Sequence, residues 1–491
     1  MKNLIIISLV LSTFISCNQQ PINKIEVKIC DTLYNDVVSG KLIFLFDKDT
    51  SSNVIYGVNQ KEPHPVFTYD IIDWNLEDTI FITEFEDEWY HQFSELDGEY
   101  VCRVIFDADT LSRSSFVTKG NAYSTRAKYT FSTDEKAMLS FNIDNKFKGW
   151  IFNESDNIKE IKYRSSQLSS FWGYDMHIES AIIFPDNYNE NKEYSIVYIF
   201  PGFGSNHASV TYGTGLIDRY GINTVGKEKI FIYMNAEFFQ GYHHFVDSEN
   251  NGPWGKAFIE EFIPYIESTY CRKTNETQRF LIGQSSGAWT AIWLQVNYPN
   301  LFNGAFAGSP DPIDFRAHGF NIYKEKSNYY FPENPDSIAI IKGRRSRLYA
   351  ELENIIGEYG QIRTWEATFS QKNSEGDIEP LFDRKSGNIN PEAAKYWRKY
   401  DISKIIQKNT DTLRNSISGK LHIYVSMDDP HELYKSIELF ETVLKENRIK
   451  ADIKYFNGLG HFVWTNKLRS EIHGIIDSEH PHQPSGNIFH N

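Results

Sequence analysis

Gly283-Gln284-Ser285-Ser286-Gly287 sets a serine between two glycines, each two residues away. The apolar run Phe280-Leu281-Ile282 before it reads as a buried strand. Ala291, Ile292, Leu294 and Val296 after it fall at helical spacing. Strand, sharp turn and helix make a serine exposed and strained, and the glycines let strand and helix approach closely. The helix start would aim its dipole and the Ser286 N–H at a negative oxygen formed beside Ser285. The chemistry this suits is nucleophilic attack on an acyl carbon. A serine hydroxyl is a poor nucleophile alone, so a base and an acid that orients the base must be found.

With this kind of elbow the chain order is serine, acid, histidine. His461 is the expected base. It follows the strand-like run Ile453–Phe456 in Asn457-Gly458-Leu459-Gly460-His461-Phe462, whose glycines permit a tight turn. His422, His431 and His473 are placed less well. The acid lies in Ser426-Met427-Asp428-Asp429-Pro430, after the strand-like run ending at Val425. Asp429 fits better, with Asp428 as the alternative. The aspartate left over would cap the next helix or be solvated. A second oxyanion donor is expected in Pro201-Gly202-Phe203-Gly204, first from Phe203 and otherwise from Gly204. The aromatic and polar loop from Tyr242 to Trp254 would wall a substrate pocket, with Trp254 and Asn251 facing it. His243-His244 lacks further ligands at zinc spacing, and no metal or cofactor is expected.

These residues need a scaffold. Between about 159 and 478, strand-like runs alternate with helical periodicity, which predicts an α/β fold with a doubly wound, mostly parallel sheet. A long insertion, about 310–418, interrupts it. Pro264 sits inside an apolar helical pattern and should kink it. Residues 21–158 show short alternating runs, such as Leu42–Phe46 and Tyr100–Phe106, and read as a β-sandwich-like domain with a linker. Residues 479–491 read as a disordered tail.

The chain carries a net charge of −15 over 491 residues, which argues against nucleic-acid binding. Lys2 and the apolar stretch Leu4–Ile15 form an export signal too short to span a bilayer. It ends at Ser16-Cys17 and resembles a bacterial lipoprotein signal, 1–17, with Cys17 lipidated. The expected location is the bacterial cell envelope, with the membrane met only through that anchor. Cys30, Cys102 and Cys271 remain. Cys30 with Cys102 is one candidate pair, and burial as small apolar residues the alternative.

Taken together, Pro201-Gly202-Phe203-Gly204, Asn251-Gly252-Pro253-Trp254-Gly255, Phe262–Glu267, Gly283–Gly287, Asp428-Asp429 and Gly460-His461-Phe462 resemble the putative esterase (esterase-D-like) family of α/β-hydrolases. The resemblance covers roughly 175–310 and 418–470. It implies an α/β-hydrolase fold and a serine carboxylic-ester hydrolase. Feruloyl, acetyl-xylan and enterochelin esterases are its known kinds. The chain departs from the pattern at Pro201, where the family has His, and at Ser426, where it has Gly. Aromatic content of 15% and an envelope location favour acyl esters of polysaccharides. A siderophore ester is the rival substrate. An acyltransferase and a non-catalytic binding lipoprotein are the competing classes.

Overall fold

The computed structural model describes residues 24–52, 63–108, 114, 116, 118–132, 138–213, 215–271, 278–331 and 337–479. Cys17, its leader and the tail from His480 lie outside the described residues. The chain divides into two compact units. One takes the chain up to Ala108 together with Ala122–Lys146; the other takes Asp109–Asn121 and everything from Phe147.

The first unit holds β1 (Lys24–Ile29), β2 (Val38–Asp47), β3 (Val66–Trp74), β4 (Ile80–Ile82), β5 (Asp87–Trp89), β6 (Gly98–Asp107), β7 (Ala122–Ser124), β8 (Ala127–Phe131) and β9 (Met138–Lys146). A sandwich would have two sheets. Here all nine strands join in one, in the order β4-β1-β9-β7-β6-β2-β3-β5, with β8 also on β6. The sheet curls. β2 and β9 are three strands apart, about 14 Å in a flat sheet, yet the rings of Phe44 and Phe141 on them meet at 5.8 Å. Phe46, Phe67, Phe93 and Phe131 fill the same core. Cys30, Cys102 and Cys271 are free thiols, the last two buried, so the candidate pair is not formed.

The second unit begins with β10 (Ile158–Ser165), α1 (Ser166–Trp172), β11 (Met176–Ile183), β12 (Ile196–Phe200), α2 (Gly215–Arg219) and β13 (Ile230–Met234). Two small hairpins follow, β14 (Glu237–Phe238) with β15 (Gly241–Tyr242), and β16 (Asp247–Ser248) with β17 (Gly252–Pro253). Next come α3 (Trp254–Lys256), α4 (Ile263–Tyr270), β18 (Arg279–Gln284), α5 (Ser286–Asn297) and β19 (Ala305–Gly308). Pro264 does not kink a continuous α-helix. A π-helical turn over 257–262 precedes α4, which leaves the proline in the first turn of α4, where its missing N–H matters least.

Among the described residues, five α-helices occupy the insertion: α6 (Ser337–Ile356), α7 (Gln361–Phe369), α8 (Pro391–Trp397), α9 (Ile402–Lys408) and α10 (Thr410–Ile417). β20 (Leu421–Ser426), α11 (Tyr434–Glu446), β21 (Asp452–Phe456) and α12 (Asn466–Glu479) complete the unit. Its eight-stranded sheet runs β10-β11-β13-β12-β18-β19-β20-β21. From β13 onward every pairing is parallel, while β10 and β11 are antiparallel. The strands are apolar because both faces are buried. Ile196, Tyr198 and Phe200 of β12 share a core with Ile263 and Ile266 of α4 and Leu294 of α5. Val197 and Ile199 between them share another with Leu468, Ile472 and Ile476 of α12.

Candidate active site

β18 ends in Gln284, and the next residue turns hard into α5. Ser285 has φ 56° and ψ −122°, a strained conformation for a residue with a side chain. Crowding explains the flanking glycines. A Cβ on Gly283 would lie 2.1 Å from the Gly287 carbonyl oxygen, and one on Gly287 would lie 2.0 Å from the Phe200 carbonyl oxygen. Ser286 opens α5, so its N–H belongs to the first turn, whose donors have no acceptor within the helix.

Asp429 follows β20, and His461 follows β21. His461 Nδ1 lies 2.9 Å from Asp429 Oδ2, and the His431 N–H donates to Asp429 Oδ1 at 2.8 Å. Burial pushes the Asp429 carboxyl up. The His461 hydrogen bond, the His431 N–H and the charges of both histidines outweigh that and hold it below the ordinary value. With Nδ1 engaged, Nε2 is the nitrogen left to face a hydroxyl.

Asp428 neither caps a helix nor stands merely solvated. It accepts the Ser426 hydroxyl at 2.5 Å and the N–H groups of Gly458 and Gly460 at 2.8 and 3.3 Å, fastening the loop that carries His461. Those bonds, the Ser426 hydroxyl foremost, lower its carboxyl. Ser426, the departure noted in the sequence, is therefore part of this clasp.

Gln284 ties the two halves together. Its Nε2 donates to the His461 carbonyl oxygen at 3.0 Å, and its Oε1 accepts the Trp464 indole N–H at 2.6 Å. The Ser285 hydroxyl, however, donates to Asp311 Oδ1 at 3.2 Å rather than to His461. Asp311 lies just past β19 and was not anticipated. Its only trace in the sequence is an acid near a strand end.

On the oxyanion side, Gly202 sits against the elbow; a Cβ there would be 3.4 Å from the Ser285 Cβ. Tyr242 Oη donates to the Pro201 carbonyl at 2.7 Å, and the Gly204 N–H donates to Glu237 at 2.7 Å. Gly204, the second-choice donor, is thus committed elsewhere. Phe203 lies between, partly buried.

The loop from Tyr242 to Trp254 gives Asn250 to a cleft wall, but Trp254 and Asn251 do not face it as expected. Trp254 is buried and stacks on His243 at 3.6 Å with the rings nearly parallel. Asn251 is fully buried and donates to Thr368 Oγ1 at 3.2 Å. Burial drives the His243 imidazole well below its ordinary pKa and the His244 imidazole down to about 3, as core rings. Among the described residues, one trio brings metal-type ligand atoms within 4.8 Å of one another: Asp429, His431 and His461. Asp429 and His461 of that trio are already joined by a hydrogen bond.

The parallel sheet and the serine elbow at its strand ends define an α/β-hydrolase. Residues 172–453 match the profile of the family described as "Putative esterase", more than half the chain, and the chain belongs to that family. It is a carboxylic-ester hydrolase. The matched span includes Ser285 and Asp429 and stops short of His461. The structure is similar to a ferulic acid esterase of Anaeromyces mucronatus, at 16% identity over 66% of this chain and 93% of that one, TM-score 0.35. It is also similar to a fluorophosphonate-binding serine hydrolase of Staphylococcus aureus, at 14% over 66% and 97%, TM-score 0.41. An S-formylglutathione hydrolase of Agrobacterium tumefaciens matches at 12% over 67% and 96%, TM-score 0.38.

Proposed function

We propose that this esterase works through Ser285 as nucleophile, His461 as general base and Asp429 as the acid that orients it. The observation that carries the reading is the 2.9 Å Asp429–His461 hydrogen bond, fastened to the elbow through Gln284. His461 Nε2 takes the Ser285 proton as Oγ bonds to the ester carbonyl carbon. The N–H groups of Phe203 and Ser286 hold the oxyanion. The alkoxide leaves with the proton from His461, and water then releases the acyl group from Ser285 by the same route. Purified protein should hydrolyse short acyl p-nitrophenyl esters. Ser285→Ala should abolish this, and undiminished activity in that variant would refute the assignment.

For the substrate, we favour acyl esters of polysaccharides. A cleft of about 680 Å³ in the same unit motivates this; Phe171, Trp172, Gln240, Tyr359, Arg363 and Glu366 are among the residues that line it, and Ser285, Asp429 and His461 are not. Aromatic faces beside planar polar groups suit a sugar ring. Gln361, between Tyr359 and Arg363 in sequence, reaches Asp311 at the elbow. Release of acetate or ferulate from glycans, against cleavage of a catecholate siderophore ester, separates the two substrate readings. A lipid anchor on Cys17 completes the proposal. Cys17→Ser should move the protein from the membrane to the soluble fraction, and unchanged membrane association would remove the anchor from it.

A further inference from the structure

The reaction above leaves Asp311 without a role, although it is the group in contact with the nucleophile. Ser285 Oγ donates to its Oδ1 at 3.2 Å. Ser286 Oγ donates to Oδ2 at 2.6 Å, and Gln361 Nε2 to the same oxygen at 3.2 Å. The Asp311 N–H donates in turn to the Ser285 carbonyl at 3.2 Å. The residue is 4% exposed. Among the described residues no lysine or arginine forms an ion pair with it. The titratable groups that act on it or feel it are His461, beyond β21, and Tyr242, on β15. A carboxylate this buried without a cation in contact is costly, and its three donors, with the His461 charge, offset that in part.

A hydroxyl has one proton to donate. Given to Asp311, it is not available to His461 Nε2. A negative charge at this spot also opposes the oxyanion that would form on Ser285's acyl adduct.

We propose that Asp311 is a positioning residue of the reaction: its carboxylate holds the Ser285 hydroxyl in a resting orientation, and attack requires that hydroxyl to be handed over to His461. This rests on Ser285 being the nucleophile. The handover is a rotation about the serine χ1, with no bond made or broken until His461 takes the proton. Protonation of Asp311 weakens the hold. Burial, its largest influence, raises the Asp311 carboxyl above its ordinary value, while the donors and the His461 charge pull the other way. A substrate hydroxyl offered to Oδ1 loosens the hold as well, which favours esters whose alcohol keeps a free neighbouring hydroxyl.

The test is the rate at which an uncharged fluorophosphonate probe labels the full chain between pH 4 and 9. Asp311→Asn keeps the shape and removes the charge. Labelling at pH 7.5 should become several-fold faster, and that advantage over the wild type should shrink as the pH falls through the range where Asp311 itself takes up a proton. Gln361→Glu, which leaves the proposed triad untouched, places a second carboxyl beside Asp311. It should shift the Asp311 ionisation to higher pH, and it serves if the asparagine variant does not fold. A purely structural Asp311 would lower labelling by one factor at every pH, and that result, or profiles that superimpose on the wild type, overturns the proposal. Labelling that persists in Ser285→Ala would instead overturn the nucleophile assignment.

Discussion

Two aspartates follow neighbouring parallel strands, Asp311 after β19 and Asp429 after β20, and their surroundings send them in opposite directions. Asp429 meets an imidazole and a backbone N–H, and its carboxyl is held low. Asp311 meets two serine hydroxyls and an amide in a fully enclosed site, and its carboxyl is pushed up. Burial acts on both. Burial bears harder on Asp311, and an imidazole hydrogen-bonds Asp429 alone; both differences drive the two carboxyls apart. Under the proposed roles, the same residue type, one strand apart, stabilises a positive base in one place and restrains a neutral nucleophile in the other.

The strongest test of this contrast is Asp429→Asn. Loss of the anion that orients His461 should lower kcat by about 10³- to 10⁴-fold, with KM for p-nitrophenyl acetate much less affected. A fall under tenfold would leave the two acids equivalent. The same variant tests the sign of the pH dependence. Because the folded value of Asp429 is lowered, its contribution to stability is fully present above the ordinary carboxylate range, near 3.9. That contribution is lost as pH falls through the depressed value. Acid unfolding followed by circular dichroism should be less steep in Asp429→Asn than in the wild type.

Gln284→Ala comes next. It frees the His461 backbone from the elbow without touching the side chains of the proposed triad, and kcat should fall by about 10- to 100-fold through misplacement alone. A third carboxylate then extends the comparison. Glu353 is buried, neither of its oxygens has a hydrogen-bond partner among the described residues, and burial raises it to about 8 despite Arg363 and Arg384. Its folded value exceeds its unfolded one, so stability drops as pH rises toward that value. Glu353→Gln should raise the melting temperature by several degrees at pH 8–9, at about 2–4 °C per kcal/mol, and leave it unchanged near pH 4. The smallest effect belongs to Asp428→Asn. An exposed clasp on the His461 loop should change kcat within about threefold.

Much of the site could be read from the chain because its local rules are strict. The Gly283–Gly287 spacing is demanded by backbone crowding, and in the structure Ser285 does sit at a strained turn between β18 and α5. Asp429 was preferred to Asp428 on position alone, and Asp429 is the one that meets His461. Asp311 and Gln361 could not be found this way. They are 26 and 76 positions beyond Ser285, and only the sheet order and the packing of α7 bring them to the elbow. Trp254 and Asn251 were misread because an aromatic, polar loop looks alike in sequence whether it faces a ligand or stacks inward. In the first unit, alternation marked the strands but not their pairing, so one curled sheet was taken for two.

The crowding at the elbow also bears on how such an enzyme can diversify. Two positions that tolerate nothing beyond a hydrogen leave no stepwise route for sliding the reactive serine along its strand. New specificities have to arise elsewhere, and the helices between β19 and β20 are the natural place. α7 already sends a side chain, through Gln361, to the acid beside Ser285. A lineage could remodel that segment freely while inheriting its chemistry intact.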